Sequence, residues 1–237
     1  MLEGCVKRWP EFPPSPRVEA TFCFIDLAGF TALTEAQGDH DAADVATLFA
    51  DLARSVLEPG DRLVKTIGDA VFVIAPNPAR GIQFVERLLF AAASEEHFPA
   101  LRVGLHHGEA VQRNDDVFGA AVNLAARVAA EAYAGEVIAT APIAEAARAS
   151  GIPVAELGPV PLRNVGTSIP LFSLGLMVGA SGTPIDPVCQ TPVDRRAAAG
   201  RLRYRGVEYW FCSLTCAAAF ASNPSWHATD SETERRE

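Results

Sequence analysis

The 237-residue sequence predicts an α+β sandwich, a sheet covered on one face by helices, with a small cysteine-rich appendage. Three observations predict it. Apolar, β-branched runs alternate with segments of helical periodicity. Two of those runs, 62–67 and 70–75, are separated only by Gly68-Asp69, a tight turn with no helix between them. Three of the five cysteines gather in residues 186–227, past a stretch of small, turn-forming residues.

Residues 1–17 hold Pro10, Pro13, Pro14 and Pro16 and read as an extended arm. Val18 to Ile25 is β-branched and aromatic, a buried strand. Val45, Leu48, Phe49, Leu52 and Val56 recur at helical spacing across 39–57, and Pro59-Gly60 stops that helix. The 62–75 hairpin follows, then an amphipathic helix over 78–94, a strand over 101–106 and a helix over 119–134 closed by Gly135. A strand at 136–140, a short helix at 142–150 and a strand at 171–174 complete a first domain, 18–176. Residues 177–185 read as a linker, 186–227 as a second module and 228–237 as a disordered polar tail.

Composition narrows the function. The net charge of −9 excludes broad nucleic-acid binding. No charge-free apolar stretch reaches the roughly 18 residues of a membrane span, and Met1–Arg8 lacks the apolar core of a signal peptide. An odd cysteine count without an export signal points to a reducing cytoplasm. Lys7 and Lys65 are the only lysines among 20 basic residues, so Lys65 marks a place where a planar guanidinium would not fit.

Asp26 and Asp69 each end an apolar run. A carboxylate there is costly unless a cation meets it. Two such groups together suit divalent metal and phosphate. A Walker-type loop is absent, so the backbone N–H groups where Ala28-Gly29-Phe30-Thr31 turns into a helix are the phosphate candidates. Read alone, Asp26 could instead cap a helix and Asp69 fill a turn. Asn123 and Arg127 lie four apart and share a helix face.

Phe24-Ile25-Asp26-Leu27-Ala28-Gly29-Phe30-Thr31, Lys65-Thr66-Ile67-Gly68-Asp69 and Asp116 to Arg127, in that order, make residues 18–176 resemble the catalytic domain of a class III nucleotidyl cyclase. The resemblance implies a ferredoxin-like βαββαβ core. It implies conversion of a nucleoside triphosphate to its 3′,5′-cyclic monophosphate and pyrophosphate by a homodimer. It makes Asp26, Leu27 and Asp69 the ligands of two Mg²⁺ or Mn²⁺ ions, and Gly29, Phe30 and Thr31 a phosphate-binding turn. Lys65 and Asp116 become the base-selecting pair, Asn123 the ribose-orienting residue and Arg127 the group stabilising transition-state charge. Arg163 falls where a cation reaches the terminal phosphates. Adenine presents an acceptor at N1 and a donor at N6, which matches a lysine that donates and an aspartate that accepts, so ATP is the expected substrate. His106 and His107 are read as structural.

Asp186-Pro187-Val188-Cys189, Tyr204 to Cys212, Cys216, Phe220 and Asn223-Pro224 make residues 186–226 resemble a YHS domain, with Gln190 where the family has glycine. The resemblance implies a treble-clef-like module. Cys189, Cys212 and Cys216 would suit Zn²⁺ or Cu⁺, with Asp194 or His227 as a fourth ligand. Cys212 and Cys216, at i, i+4, could equally be small buried residues. The leading expectation is an adenylate cyclase modulated by this module. A nucleotide-binding or dimerising domain without turnover, and a metal sensor or chaperone with the module primary, are the alternatives.

Overall fold

The computed structural model describes residues 15–176 and 184–228. The expected arm up to residue 14, most of the expected linker and the expected tail from residue 229 lie outside the described residues.

β1 (Arg17–Leu27) occupies the middle of the sheet, and its alternate residues serve opposite faces. After it come α1 (Phe30–Gln37), α2 (Asp39–Ser55), the hairpin β2 (Arg62–Ile67) and β3 (Ala70–Ala75), and α3 (Pro78–Ser94). The chain continues through β4 (Leu101–Arg113), β5 (Asp116–Phe118), α4 (Ala120–Ala130), β6 (Val137–Thr140), α5 (Ala141–Ala149), β7 (Val154–Val160) and β8 (Ile169–Leu174). Strands run in the order β2-β3-β1-β4-β6-β8-β7, with β5 on β4. Only the β4–β6 pairing is parallel. The first four strands of the main path, with α2 and α3, form the ferredoxin-like core that the resemblance implied.

Three helices cover one face. Phe49 of α2, Phe84 and Leu88 of α3 and Ile143 of α5 share a core with Cys23, Ile25 and Leu27 of β1. The expectation of helices on one face stops there, because α4 takes the other. Its Ala121, Val122 and Ala125 pack on Ala20, Phe22 and Phe72. Glycine on β4 makes this possible: a Cβ on Gly104 would lie 2.1 Å from the Ala129 nitrogen. The α4 helix rests chiefly on β4, β1 and β6 and less on the β3–β2 end. On that end Phe24 stacks on Phe72 at 4.3 Å, with Phe24 only partly buried.

Two strands escape sequence reading, β5 with three residues and β7, which carries Gly158 and Pro159. The helix after Asp26 ends at Gly38, whose φ of 90° breaks it from α2.

The C-terminal module has its own core. Cys189 sits in a turn, β9 (Gly200–Tyr204) and β10 (Val207–Phe211) form a hairpin, and α6 (Leu214–Ser222) and α7 (Pro224–His227) close it. Phe220 of α6 lies 4.7 Å from the Tyr209 ring and 5.2 Å from Phe211.

Candidate active site

The β1–β4 register sets Asp26 beside Arg102, and the β1–β3 register sets it beside Ala70, next to Asp69 in the hairpin turn. Arg102 donates to Asp26 Oδ2. It is the cation that a strand-end carboxylate demanded, and sequence reading missed it. The signal was there: an arginine at the second position of a strand that opens Leu101-Arg102-Val103-Gly104-Leu105. The Asp26 carboxyl is pushed up to about 6, first by burial and then by the Asp69 carboxyl within hydrogen-bond reach, while Arg102 pulls the other way. Leu27 N donates to the Asp69 carbonyl at 3.3 Å and ties the two acids' backbones together. The Asp26 carboxylate, held by Arg102, and the Asp69 carboxyl within its reach form a hard, oxygen-only donor set, and it fits Mg²⁺ or Mn²⁺.

The chain then turns at Gly29, whose φ of 69° is left-handed, into α1, which has no side-chain cap. Phe30 packs into the first core, Thr31 is exposed, and the helix start keeps anion-binding character.

Lys65 reaches the same face by an irregularity. Leu63 pairs with Val73 but Lys65 pairs with Phe72, so a bulge intervenes in β2. In a regular strand Leu63 and Lys65 would share a face. Here Leu63 joins the helix-covered core, while Lys65 lies alongside Phe72 and Phe24 on the open face. Asp116 arrives from β5, and Lys65 Nζ meets its Oδ2 at 2.6 Å. The Lys65 ammonium first, and then the Val117 N–H, hold the Asp116 carboxyl below its ordinary value. The neighbouring Asp115 offers only its carbonyl, to Arg62 at 2.7 Å.

Asn123 and Arg127 lie on the outer side of α4, Asn123 exposed and Arg127 half-buried. Val122 turns inward to the sheet. Among the described residues Arg127 has no ion-pair partner, and neither residue bonds to Asp26, Asp69, Lys65 or Asp116. Arg163 is exposed in the loop between β7 and β8. His106 bonds Thr140 at 2.8 Å and His107 bonds Thr21 at 3.0 Å, as structural histidines do. A groove of about 640 Å³ beside Val56, Arg87 and Phe90 lies between α2 and α3, away from these groups.

In the module, the side chains of Asp186, Cys189, Cys212 and Cys216 place their ligand atoms within 4.8 Å of one another. Cys189 and Cys212 sulfurs are 3.3 Å apart, and Cys212 and Cys216 sulfurs 3.8 Å. Tetrahedral Zn–S bonds of about 2.3 Å separate sulfurs by about 3.8 Å, so the thiol set fits such an ion. Neighbouring thiols donating to Cys216, at the start of α6, push it down to about 4 and push Cys212 up. The fourth group is Asp186, not Asp194 or His227. Asp194 accepts from Arg196 N at 2.9 Å, and His227 lies beside the Phe220 ring.

Residues 13–174 match the adenylate and guanylate cyclase catalytic domain, and residues 185–230 match the YHS domain. A pH-sensitive adenylate cyclase of Mycobacterium tuberculosis is 36% identical over 158 residues, 65% of this chain and 40% of that protein. An adenylate cyclase of Streptomyces griseus is 38% identical over 114 residues, 48% of this chain and 28% of that protein. The chain thus spans less than half the length of these relatives. Among solved structures, an adenylate cyclase from Trypanosoma brucei in its monomeric state superposes with a TM-score of 0.61 at 22% identity, over 69% of this chain and 92% of that one. The adenylyl cyclase CyaB from P. aeruginosa gives 0.59 at 18% identity, over 71% and 98%. No helix among the described residues is long and apolar enough to cross a membrane.

Proposed function

The chain belongs to the adenylate and guanylate cyclase catalytic-domain family, and from that premise we propose that it converts ATP to 3′,5′-cyclic AMP and pyrophosphate as a homodimer. The observation that carries the reading is the Lys65–Asp116 pair, 2.6 Å apart on the sheet face that also presents Asp26. Donor and acceptor there match the N1 and N6 edge of adenine and clash with guanine, whose N1 donates and whose O6 accepts.

Asp26, Asp69 and the Leu27 backbone would hold two Mg²⁺ or Mn²⁺ ions, which when bound acidify the ribose 3′-hydroxyl and neutralise triphosphate charge. Arg102, beside Asp26, would donate to a phosphate oxygen. The N–H groups of Gly29, Phe30 and Thr31 take others, and Arg163 reaches the terminal phosphates. The 3′-oxygen attacks the α-phosphorus, the bond to the bridging oxygen of the β-phosphate breaks, and pyrophosphate departs. Asn123 orients the ribose and Arg127 meets the charge that develops on the α-phosphate. They and the Lys65–Asp116 pair come from one subunit and the carboxylates from the other. Neither Asn123 nor Arg127 bonds to Asp26 or Asp69 among the described residues, which supports a twofold contact that builds two sites together. In the module, Cys189, Cys212 and Cys216 with Asp186 would hold Zn²⁺ or Cu⁺ and modulate the cyclase.

The test is incubation of the purified protein with ATP or GTP and Mn²⁺, assaying cyclic product. Cyclic AMP, abolished in Asp26→Ala and Arg127→Ala, is expected. Tight ATP binding without product would replace the enzyme with a nucleotide-binding module.

A further inference from the structure

The thiol cluster and the phosphate turn are joined by a direct contact. The Gln190 carbonyl accepts from Ala100 N at 3.1 Å, and the Ala100 carbonyl accepts from Ala28 N at 2.8 Å. The Gln190 side chain lies against Gly29, where an added Cβ would sit 2.6 Å from its Cγ and 3.2 Å from the Cys189 carbonyl. Gln190 therefore touches Gly29 directly and reaches Ala28 through the Ala100 peptide.

Gln190 is also locked to the cluster. It follows Cys189 in the chain, and its N–H donates to the Asp186 carbonyl at 2.9 Å. Its side-chain amide donates to the Pro187 carbonyl at 3.2 Å. Its φ is 61°, a left-handed conformation that carries a steric cost for any residue with a Cβ. Glycine would remove that cost, as it would in the family pattern, and would remove the contact with Gly29. The Asp186 carboxylate is wholly buried, accepting from Val188 N at 2.8 Å and Cys212 N at 2.8 Å with no cation beside it. The groups that would ligate a metal are thus the groups that position Gln190.

We infer that Gln190 is a latch through which a thiophilic metal ion at Asp186, Cys189, Cys212 and Cys216 tightens the triphosphate-binding turn. This rests on the nucleotide-site reading above. A bound ion would tie the three sulfurs and Asp186 to one centre, which fixes the Cys189–Gln190 turn and holds Gln190 against Gly29. Loss of the ion loosens the turn, and the N–H groups that start α1 lose their alignment. The metal module acts here by contact with the substrate turn, not through the segment that joins the two domains.

The experiment measures binding of 3′-deoxy-ATP, which lacks the attacking hydroxyl, in the presence of Mn²⁺. The full chain is compared after Zn²⁺ loading, after chelation followed by return of Mn²⁺ alone, and as Gln190→Gly. Hydrogen exchange at residues 27–32 is followed in parallel, and Co²⁺–thiolate absorption reports the cluster. Zn²⁺-loaded protein should bind the analogue about 3- to 10-fold more tightly than chelated protein and protect residues 27–32. Gln190→Gly should keep the Co²⁺ absorption, bind the analogue as weakly as chelated protein and no longer respond to Zn²⁺. Equal affinity in all three states, tighter binding on chelation, or absence of Co²⁺–thiolate absorption would overturn the latch. Asp26→Asn separates the two readings. If it abolishes analogue binding while Zn²⁺ and Gln190→Gly have no effect, the latch fails and the nucleotide site stands. If the analogue does not bind even to loaded parent protein, the nucleotide site itself fails.

Discussion

Asp26 shows how one side chain reports on its surroundings. A carboxylate on an inner strand of a sheet loses much of its water, and burial is the largest cause that pushes Asp26 up. Arg102 and Asp69 then pull in opposite directions. The outcome is a carboxyl held above its ordinary range beside a second acid, and in the proposed site that pair would recruit divalent cations. Lys65 and Asp116 form the complementary case. Their ion pair is partly exposed, so it contributes little to stability. Its value lies in presenting one donor and one acceptor at fixed spacing. The charge-swapped double variant Lys65→Glu/Asp116→Lys keeps a pair but offers guanine's edge the right partners. We expect kcat/KM for ATP to fall at least about 100-fold and GTP to become the better substrate, measured with both triphosphates. Unchanged preference for ATP would show that these residues do not read the base.

At the scale of elements, β4 does two jobs with alternating residues. Leu101, Val103 and Leu105 enter the helix-covered core, while Gly104 lets the α4 backbone come close on the other side. Gly104→Val should therefore lower unfolding free energy by about 3 kcal/mol or prevent folding, measured by urea denaturation, because backbone cannot move aside as a side chain can. His106, on the same strand, is held down at about 4 by burial and secondarily by His107. The groups around it are His107, itself near Glu19, and the Thr140 hydroxyl. Its pKa is depressed relative to the unfolded value near 6.5, so the unfolded chain takes up the proton first. Stability that is intact above pH 6.5 is lost as pH falls towards 4. His106→Gln, which can still bond Thr140, should flatten that part of the stability–pH curve relative to the parent. Parallel curves would mean that His106 is not the group responsible.

For the whole molecule, the decisive feature is incompleteness. Among the described residues of one chain, neither Asn123 nor Arg127 bonds to Asp26 or Asp69. The proposed twofold assembly would bring the carboxylates of one subunit to the Lys65–Asp116 pair, Asn123 and Arg127 of the other, and it makes a quantitative demand. Asp26→Ala and Arg127→Ala homodimers should both be inactive. A 1:1 mixture that exchanges subunits should recover about a quarter of parental activity, since half the dimers are mixed and each carries one intact site of two. Absence of recovery after verified exchange would place all the groups of a site in one chain.

Much of this protein was legible before any coordinates. The strand-end acids, the Gly68-Asp69 turn, the i, i+4 spacing of Asn123 and Arg127 and the clustered cysteines are local patterns, and local patterns survive in one dimension. The periodicity of 78–94 became α3 with the same limits, because an amphipathic helix encodes its own buried face. What the tertiary structure alone decided depends on residues distant in sequence. Arg102 meets Asp26 through strand register, and a bulge turns Lys65 onto the face of Phe72. Asp186 rather than Asp194 or His227 joins the thiols because a turn and a hairpin converge on it. Gln190 reaches Gly29 only because two separately folded units come into contact. Register, bulges and contacts between units follow from packing across the whole chain, and no window of sequence contains both partners.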